Sequence, residues 1–185
     1  MLILVKHAKP VVDPELSPSR WRLSDEGRES CGRLSAALRP FAPAAFFTSP
    51  QPKAMETAAL VAPSFGTSAV PRDALREHDE TGAPFFHTEA EFAQAIREFF
   101  ARPNERVFGA ESAQEALTRF TAEVEGLLSE RDGTVAVVSH GRVISLLVAS
   151  RTQLDPFEIW QELTLPSFVV LDMVQGRIQH LAASV

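Results

Sequence analysis

Two histidines and two lysines stand where apolar chain turns polar. MLILV runs into Lys6-His7, TVAVV into Ser139-His140, and AAFFT into Ser49-Pro50, with Lys53 shortly after. These residue types suit a phosphoryl group. A neutral imidazole, with an ordinary pKa of about 6.5, offers a lone pair for in-line attack on phosphorus at neutral pH. A second imidazole, when protonated, stabilises the charge that develops. Ammonium groups neutralise the phosphoryl oxygens, and a leaving alkoxide needs a proton, so a carboxylic acid belongs nearby. Two histidines can also be half of a metal site. The sequence, however, has no Cys/His cluster and no H-x-x-x-H or H-E-x-x-H spacing, which argues against metal.

These groups meet only if the fold brings three strand ends to one rim. Short buried strands are expected at Met1–Lys6, Ala44–Thr48 and Thr134–Ser139, with a further one at Ser68–Val70. Helices are expected from Ser24, an N-cap, to about Arg39; from Ser49-Pro50 to about Ala62; over Glu89–Arg102; from the Ser112-x-x-Glu115 capping box to about Glu130; and from His140-Gly141 to about Ser150. Asp155-Pro156 opens a short helix, and Gln175-Gly176 joins two strands of a hairpin. Residues 71–88 carry Gly82 and Pro84 and read as an irregular excursion. Strands alternating with helices predict an α/β fold: a three-layer α/β/α sandwich with a mainly parallel central sheet of about six strands and a C-terminal hairpin. Such sheets bind ligands beyond the carboxyl ends of their strands. Lys53 then falls in the first turn of a helix, where free N–H groups and the positive dipole end favour an anion.

Composition narrows the setting. The 185 residues predict one domain over 1–185, and 45% hydrophobic residues are enough for a substantial core. A net charge of −6 argues against nonspecific nucleic-acid binding but leaves room for a local cationic pocket. A single cysteine, Cys31, excludes an intrachain disulfide and reads as a small buried apolar residue. No apolar run reaches the roughly 18 residues a bilayer span requires. MLILVK is too short for a signal peptide. The expectation is a soluble cytoplasmic protein without membrane or nucleic-acid partners.

Six segments in order resemble the histidine phosphatase, or phosphoglycerate mutase-like, superfamily. The family's Arg-His-Gly is Lys6-His7-Ala8 here, and its Leu-Ser/Thr-x-x-Gly is Leu23-Ser24-Asp25-Glu26-Gly27. Its Ser-Pro-x-x-Arg-Ala-x-x-Thr-Ala segment is Ser49 to Ala58, with Lys53 in place of arginine. Leu75-Arg76-Glu77 looks like the Leu-x-Glu segment that supplies a proton donor, with Asp79 and Glu80 as alternatives. Gly109-Ala110-Glu111-Ser112 is similar to Gly-Glu-Ser with one residue inserted, and Ser139-His140-Gly141 matches directly. The resemblance implies catalysis by His7, Glu77 and His140 and phosphate binding by Lys6, Lys53 and Gly141, with no metal or other cofactor. His7 would form a phosphohistidine, while Glu77, initially protonated, would donate to the leaving oxygen and then act as base on water. The ligand would be a small phosphorylated substrate or phosphate ion.

Three functions follow: a phosphomonoester hydrolase; a mutase-type phosphotransferase, which the short 71–88 excursion disfavours; and a phosphate-binding or regulatory module. Lys6, Ala8 and Lys53 support the third, since an ammonium keeps the charge of a guanidinium but not its bidentate fork. Trp21, Phe85 and Phe86 are candidates to wall the pocket, His78 and His87 to line its substrate side, and His180 reads as structural.

Overall fold

A computed structural model describes residues 1–182. Its strands are β1 (Leu2–Lys6), β2 (Ala45–Thr48), β3 (Ala69–Pro71), β4 (Val135–Ser139), β5 (Ser167–Asp172) and β6 (Arg177–Ala182). Its helices are α1 (Asp25–Leu38), α2 (Pro52–Val61), α3 (Glu89–Ala101), α4 (Ala113–Ser129), α5 (Gly141–Thr152) and α6 (Pro156–Glu162). The strands form one sheet in the order β3-β2-β4-β1-β5-β6. The first four positions in that order are parallel; β5 runs against β1, and β6 against β5. The mainly parallel sheet and closing hairpin are therefore as the alternating pattern predicts.

Period-two alternation splits the core into two layers. Leu2 and Leu4 of β1 join Val135 and Val137 of β4 on the face covered by α3, α4, α5 and α6. Ile3 and Val5 join Ala136 and Val138 on the face covered by α1 and α2. All eight side chains are fully buried, so both faces of these strands are dry and the strands read as unbroken apolar runs.

Local signals set the helix starts. Ser24 accepts the Gly27 N–H at 3.0 Å, Ser112 and Glu115 close a reciprocal capping box, and Asp155 accepts the N–H groups of Phe157 and Glu158. One expectation needs correction. The second helix begins at Pro52, not at Ser49-Pro50. The Ser49 N–H instead donates to Val138 O at 2.9 Å, which extends the sheet, and Pro52 takes a helix position that needs no N–H donor. The excursion expected over 71–88 is irregular only from residue 76: Pro71 ends β3, Asp73–Leu75 form a short 3-10 helix, and residues 76–88 form neither helix nor strand. Among the described residues, no helix is long and apolar enough to cross a membrane.

The registers align the strand ends. Lys6 pairs with Ser139 across β1–β4, and Thr48 with Val138 across β2–β4. His7, Ser49 and His140 thus leave the sheet together at its carboxyl rim.

Candidate functional site

His7 follows β1, whose apolar residues are locked in the core, and its N–H donates to Ser139 O at 3.1 Å. Its ring is buried, with the residue 7% exposed. Nδ1 lies 2.8 Å from Ala8 O. A carbonyl only accepts, so Nδ1 carries the hydrogen and Nε2 keeps its lone pair. Burial first, then the charge of Lys53 and the neighbouring His140, hold the imidazole pKa well below 6.5. His7 is therefore a neutral imidazole with one fixed nucleophilic nitrogen.

His140 faces it edge-on, with ring centroids 5.1 Å apart. Its Nε2 lies 2.7 Å from Ser49 Oγ, whereas its buried Nδ1 has no partner. Ser49 Oγ also accepts the Gln51 N–H at 3.2 Å, so its hydroxyl hydrogen is available to His140 Nε2. That arrangement leaves Nδ1–H free to meet an anion. Burial, reinforced by Lys53 and Arg142, lowers the His140 pKa well below 6.5, so the free ring is neutral.

Lys6 and Lys53 reach this rim from two sides. Lys6 Nζ donates to Leu163 O beyond α6. Lys53 Nζ donates to Pro18 O at 2.8 Å and lies 5.5 Å from the centroid of the Trp21 ring. Burial brings both ammonium groups down to about 8. Each retains further N–H donors for a second acceptor. Gly141 packs closely against Lys6 and Trp160. A Cβ at that position would stand 3.1 Å from Trp160 Cδ1 and 3.2 Å from Lys6 Cε. Ala8 is not an obstruction: the described residues other than glycine with positive φ are Ala42 and Gln153, and Ala8 is fully buried in the α1–α2 layer. Its N–H donates to Thr57 Oγ1 at 3.0 Å.

Glu77 joins the group across a long sequence gap because other residues hold its loop. Arg119 of α4 donates to Ala74 O, Arg76 O and Glu77 O and pairs with both carboxylate oxygens of Glu111. Glu111 Oε2 also accepts the Asp79 N–H, and Gly109 sits with φ +80° where a Cβ would lie 2.3 Å from Asp79 O. The Gly109–Ser112 segment therefore clamps the Glu77 loop from behind. Glu77 itself is ionised. Burial would raise its pKa, but Arg142, the N–H groups of His78 and Arg142, and His78 outweigh it and hold the carboxyl at about 2. An initially protonated Glu77 does not fit this resting geometry.

Sequence reasoning missed Arg142, Arg119 and the role of the Ser49 hydroxyl. Arg142 carried a signal: a cation in the first turn of a helix opposes the dipole and asks for an acidic partner. It has two, Glu77 at 3.3 Å and Glu80 at 2.8 Å. Of the other candidates, Trp21 stands at the site and the rest lie elsewhere. His78 is core, with Nε2 on Phe108 O and its ring against Phe99 and Phe108. His87 and Phe85 are exposed, and Phe86 packs on Phe92 and Phe108. Trp21 lies beneath Lys53, and His180 packs between Phe41 and Phe168. Among the described residues, no three His, Cys, Asp or Glu side chains gather as metal ligands would.

The family model for the histidine phosphatase superfamily, branch 1, matches residues 2–183. No curated protein matches the chain in sequence. Several solved structures share the fold. Mycobacterial glucosyl-3-phosphoglycerate phosphatase in complex with inorganic phosphate is 21% identical, with 99% of this chain and 97% of that one covered and a TM-score of 0.71. Bacillus stearothermophilus YhfR is 23% identical over 100% and 96%, with a TM-score of 0.72. Phosphoserine phosphatase from Entamoeba histolytica, with 3-phosphoglyceric acid, is 15% identical over 98% and 95%, also at 0.72.

Proposed function

The chain belongs to branch 1 of the histidine phosphatase superfamily, and from that premise we propose that it is a phosphomonoester hydrolase working through a phosphohistidine on His7. One observation carries this reading: Ala8 O fixes the His7 Nδ1–H at 2.8 Å, which leaves the Nε2 lone pair on a neutral ring beside His140. Lys6, Lys53, the His140 Nδ1–H and the Gly141 N–H at the start of α5 hold the phosphoryl oxygens. The anion in turn favours protonation of His140 and retention of charge on both lysines. Water then attacks the phosphohistidine and releases phosphate. A rigid strand end suits the attack, since in-line displacement tolerates little misplacement.

A second reading, a phosphate-ligand-binding module, draws on the bonds that tie Lys6 to Leu163 O and Lys53 to Pro18 O. The panel that separates the two contains aryl, acyl and alkyl phosphates, with phosphoserine and glucosyl-3-phosphoglycerate among them because structural neighbours act on them by name. Hydrolysis that disappears in His7→Ala is expected. Tight phosphate binding with no hydrolysis of any ester would favour the binding module.

A further inference from the structure

Glu77 accepts three hydrogen bonds and pairs with a guanidinium, and a carboxylate has about four lone-pair positions. Oε1 takes the N–H of His78 at 3.0 Å and of Val143 at 3.2 Å. Oε2 takes the Arg142 N–H at 3.2 Å and lies 3.3 Å from the Arg142 Nε as an ion pair. Every group against this carboxylate is a donor. A carboxylic acid would present an O–H with nothing to accept it, and one donor would have to leave. Arg142 is poorly placed to leave: it is 5% exposed, its Nη1 holds Glu80 at 2.8 Å, and its guanidinium lies 5.7 Å from the centroid of the Phe108 ring.

The surroundings favour the anion from every side. Arg142 faces Glu77 from α5, Lys6 from β1 and Lys53 from α2, while Arg119 of α4 reaches its main-chain carbonyl. On its own loop stand His78 and Glu80, and Glu80 is already paired with Arg142. The neighbouring Asp79 accepts the Thr81 N–H at 2.9 Å and offers no protonated substitute. The site therefore has a histidine nucleophile and cationic groups for the phosphoryl oxygens but no resting acid for the leaving group.

We propose that Arg142 is a positioning residue that keeps Glu77 a carboxylate during phosphoryl transfer, so that the site takes phosphoryl groups from oxygens that leave as stable anions (aryl, enol and acyl phosphates and phosphoanhydrides) and not from simple alcohols. The inference rests on the histidine-nucleophile reading. In the first step His7 Nε2 forms the N–P bond, the P–O bond breaks, and the leaving oxygen departs with the electron pair and no proton from the protein. In the second, water forms the new P–O bond and the N–P pair returns to the imidazole. One water proton passes to solvent; the other stays on the phosphate.

The test compares phenyl phosphate with cyclohexyl phosphate, two ring esters of similar size whose alcohols differ chiefly in how well they leave as anions. Acetyl phosphate serves as a small acyl donor. The wild-type protein should favour phenyl over cyclohexyl phosphate by about 100-fold or more in kcat/KM, the scale of one absent general acid. Arg142→Met should cut that preference by about tenfold or more. It should also give the cyclohexyl ester alone a rate that falls as pH rises, because Glu77, freed of its guanidinium but still buried, can then take up a proton. If Arg142→Met fails to fold, the wild-type ratio decides alone. Equal wild-type rates on the two ring esters overturn the proposal and leave the His7 reading standing. No turnover of any of the three compounds removes both.

Discussion

On the proposed reading, Lys6 and Lys53 make phosphate affinity titrate where arginines would not. Burial, then the surrounding cations, bring each ammonium from 10.5 to about 8, against the opposing pull of Glu77 on both and of Glu80 on Lys53. A bound phosphate dianion favours the charged forms and returns both pKa values toward 10.5. Binding therefore takes up protons as pH rises through the interval between these limits, and affinity falls there. Near pH 7 both groups are charged in the free protein. At pH 9 a group with a pKa of about 8 is charged only about one-tenth of the time, so each lysine weakens binding by about tenfold, or about 1.4 kcal/mol. The two together reach about 100-fold. Their mutual repulsion makes them titrate as a coupled pair, which broadens the fall without changing its sign. Calorimetric titration with inorganic phosphate at several pH values between about 7.5 and 9.5 measures this directly. Lys6→Arg with Lys53→Arg should flatten the curve, because a guanidinium stays charged throughout. A flat wild-type curve, or an equal fall in the double variant, would refute the reasoning.

Three further outcomes are expected. Glu77 is depressed from 4.5 to about 2, so its contribution of about 3 kcal/mol is present above 4.5 and is lost as pH falls toward 2; urea unfolding of the wild type and Glu77→Gln should differ much less at pH 3 than at pH 6. Gly27→Ala places a Cβ 2.1 Å from Lys9 O, a main-chain atom, and should destabilise by about 1–3 kcal/mol in thermal unfolding despite the better helix propensity of alanine; a stabilised variant would show that the two segments part easily. Thr57→Val leaves the buried Ala8 N–H without its acceptor and should cost about 1–3 kcal/mol in urea unfolding, with a loss of activity as the end of β1 loosens.

The fold was legible because it is written in periodic, local signals. Unbroken apolar runs at Leu2–Lys6 and Val135–Ser139, caps at Ser24, Ser112 and Asp155, and the turn before Arg177 each act over a few residues. The three strand ends followed, since parallel pairing of those runs leaves no other rim for His7, Ser49 and His140. What stayed hidden depends on contacts between distant residues. Arg119 is one polar residue on an amphipathic helix, and nothing local says that it pins residues 74–77. The protonation state of Glu77 depends on α5 supplying two N–H groups and a guanidinium from 65 and 66 positions away. His78 could be placed on the substrate side from sequence alone because the excursion has no period; packing against Phe99 and Phe108 sends it into the core instead. Ala8 looked like an anomaly beside His7, but its backbone is not left-handed and its methyl fills the core.

The central claim is that phosphorus passes through His7. The most direct measurement is a brief reaction with acetyl phosphate or phenyl phosphate, an alkaline quench and peptide mass spectrometry of the wild type and His7→Ala. One phosphoryl group on the peptide that contains His7, stable in alkali, lost in acid and absent from His7→Ala, is the predicted result. A label on His140, a label that survives His7→Ala, or hydrolysis that continues in that variant at the wild-type rate would contradict the account.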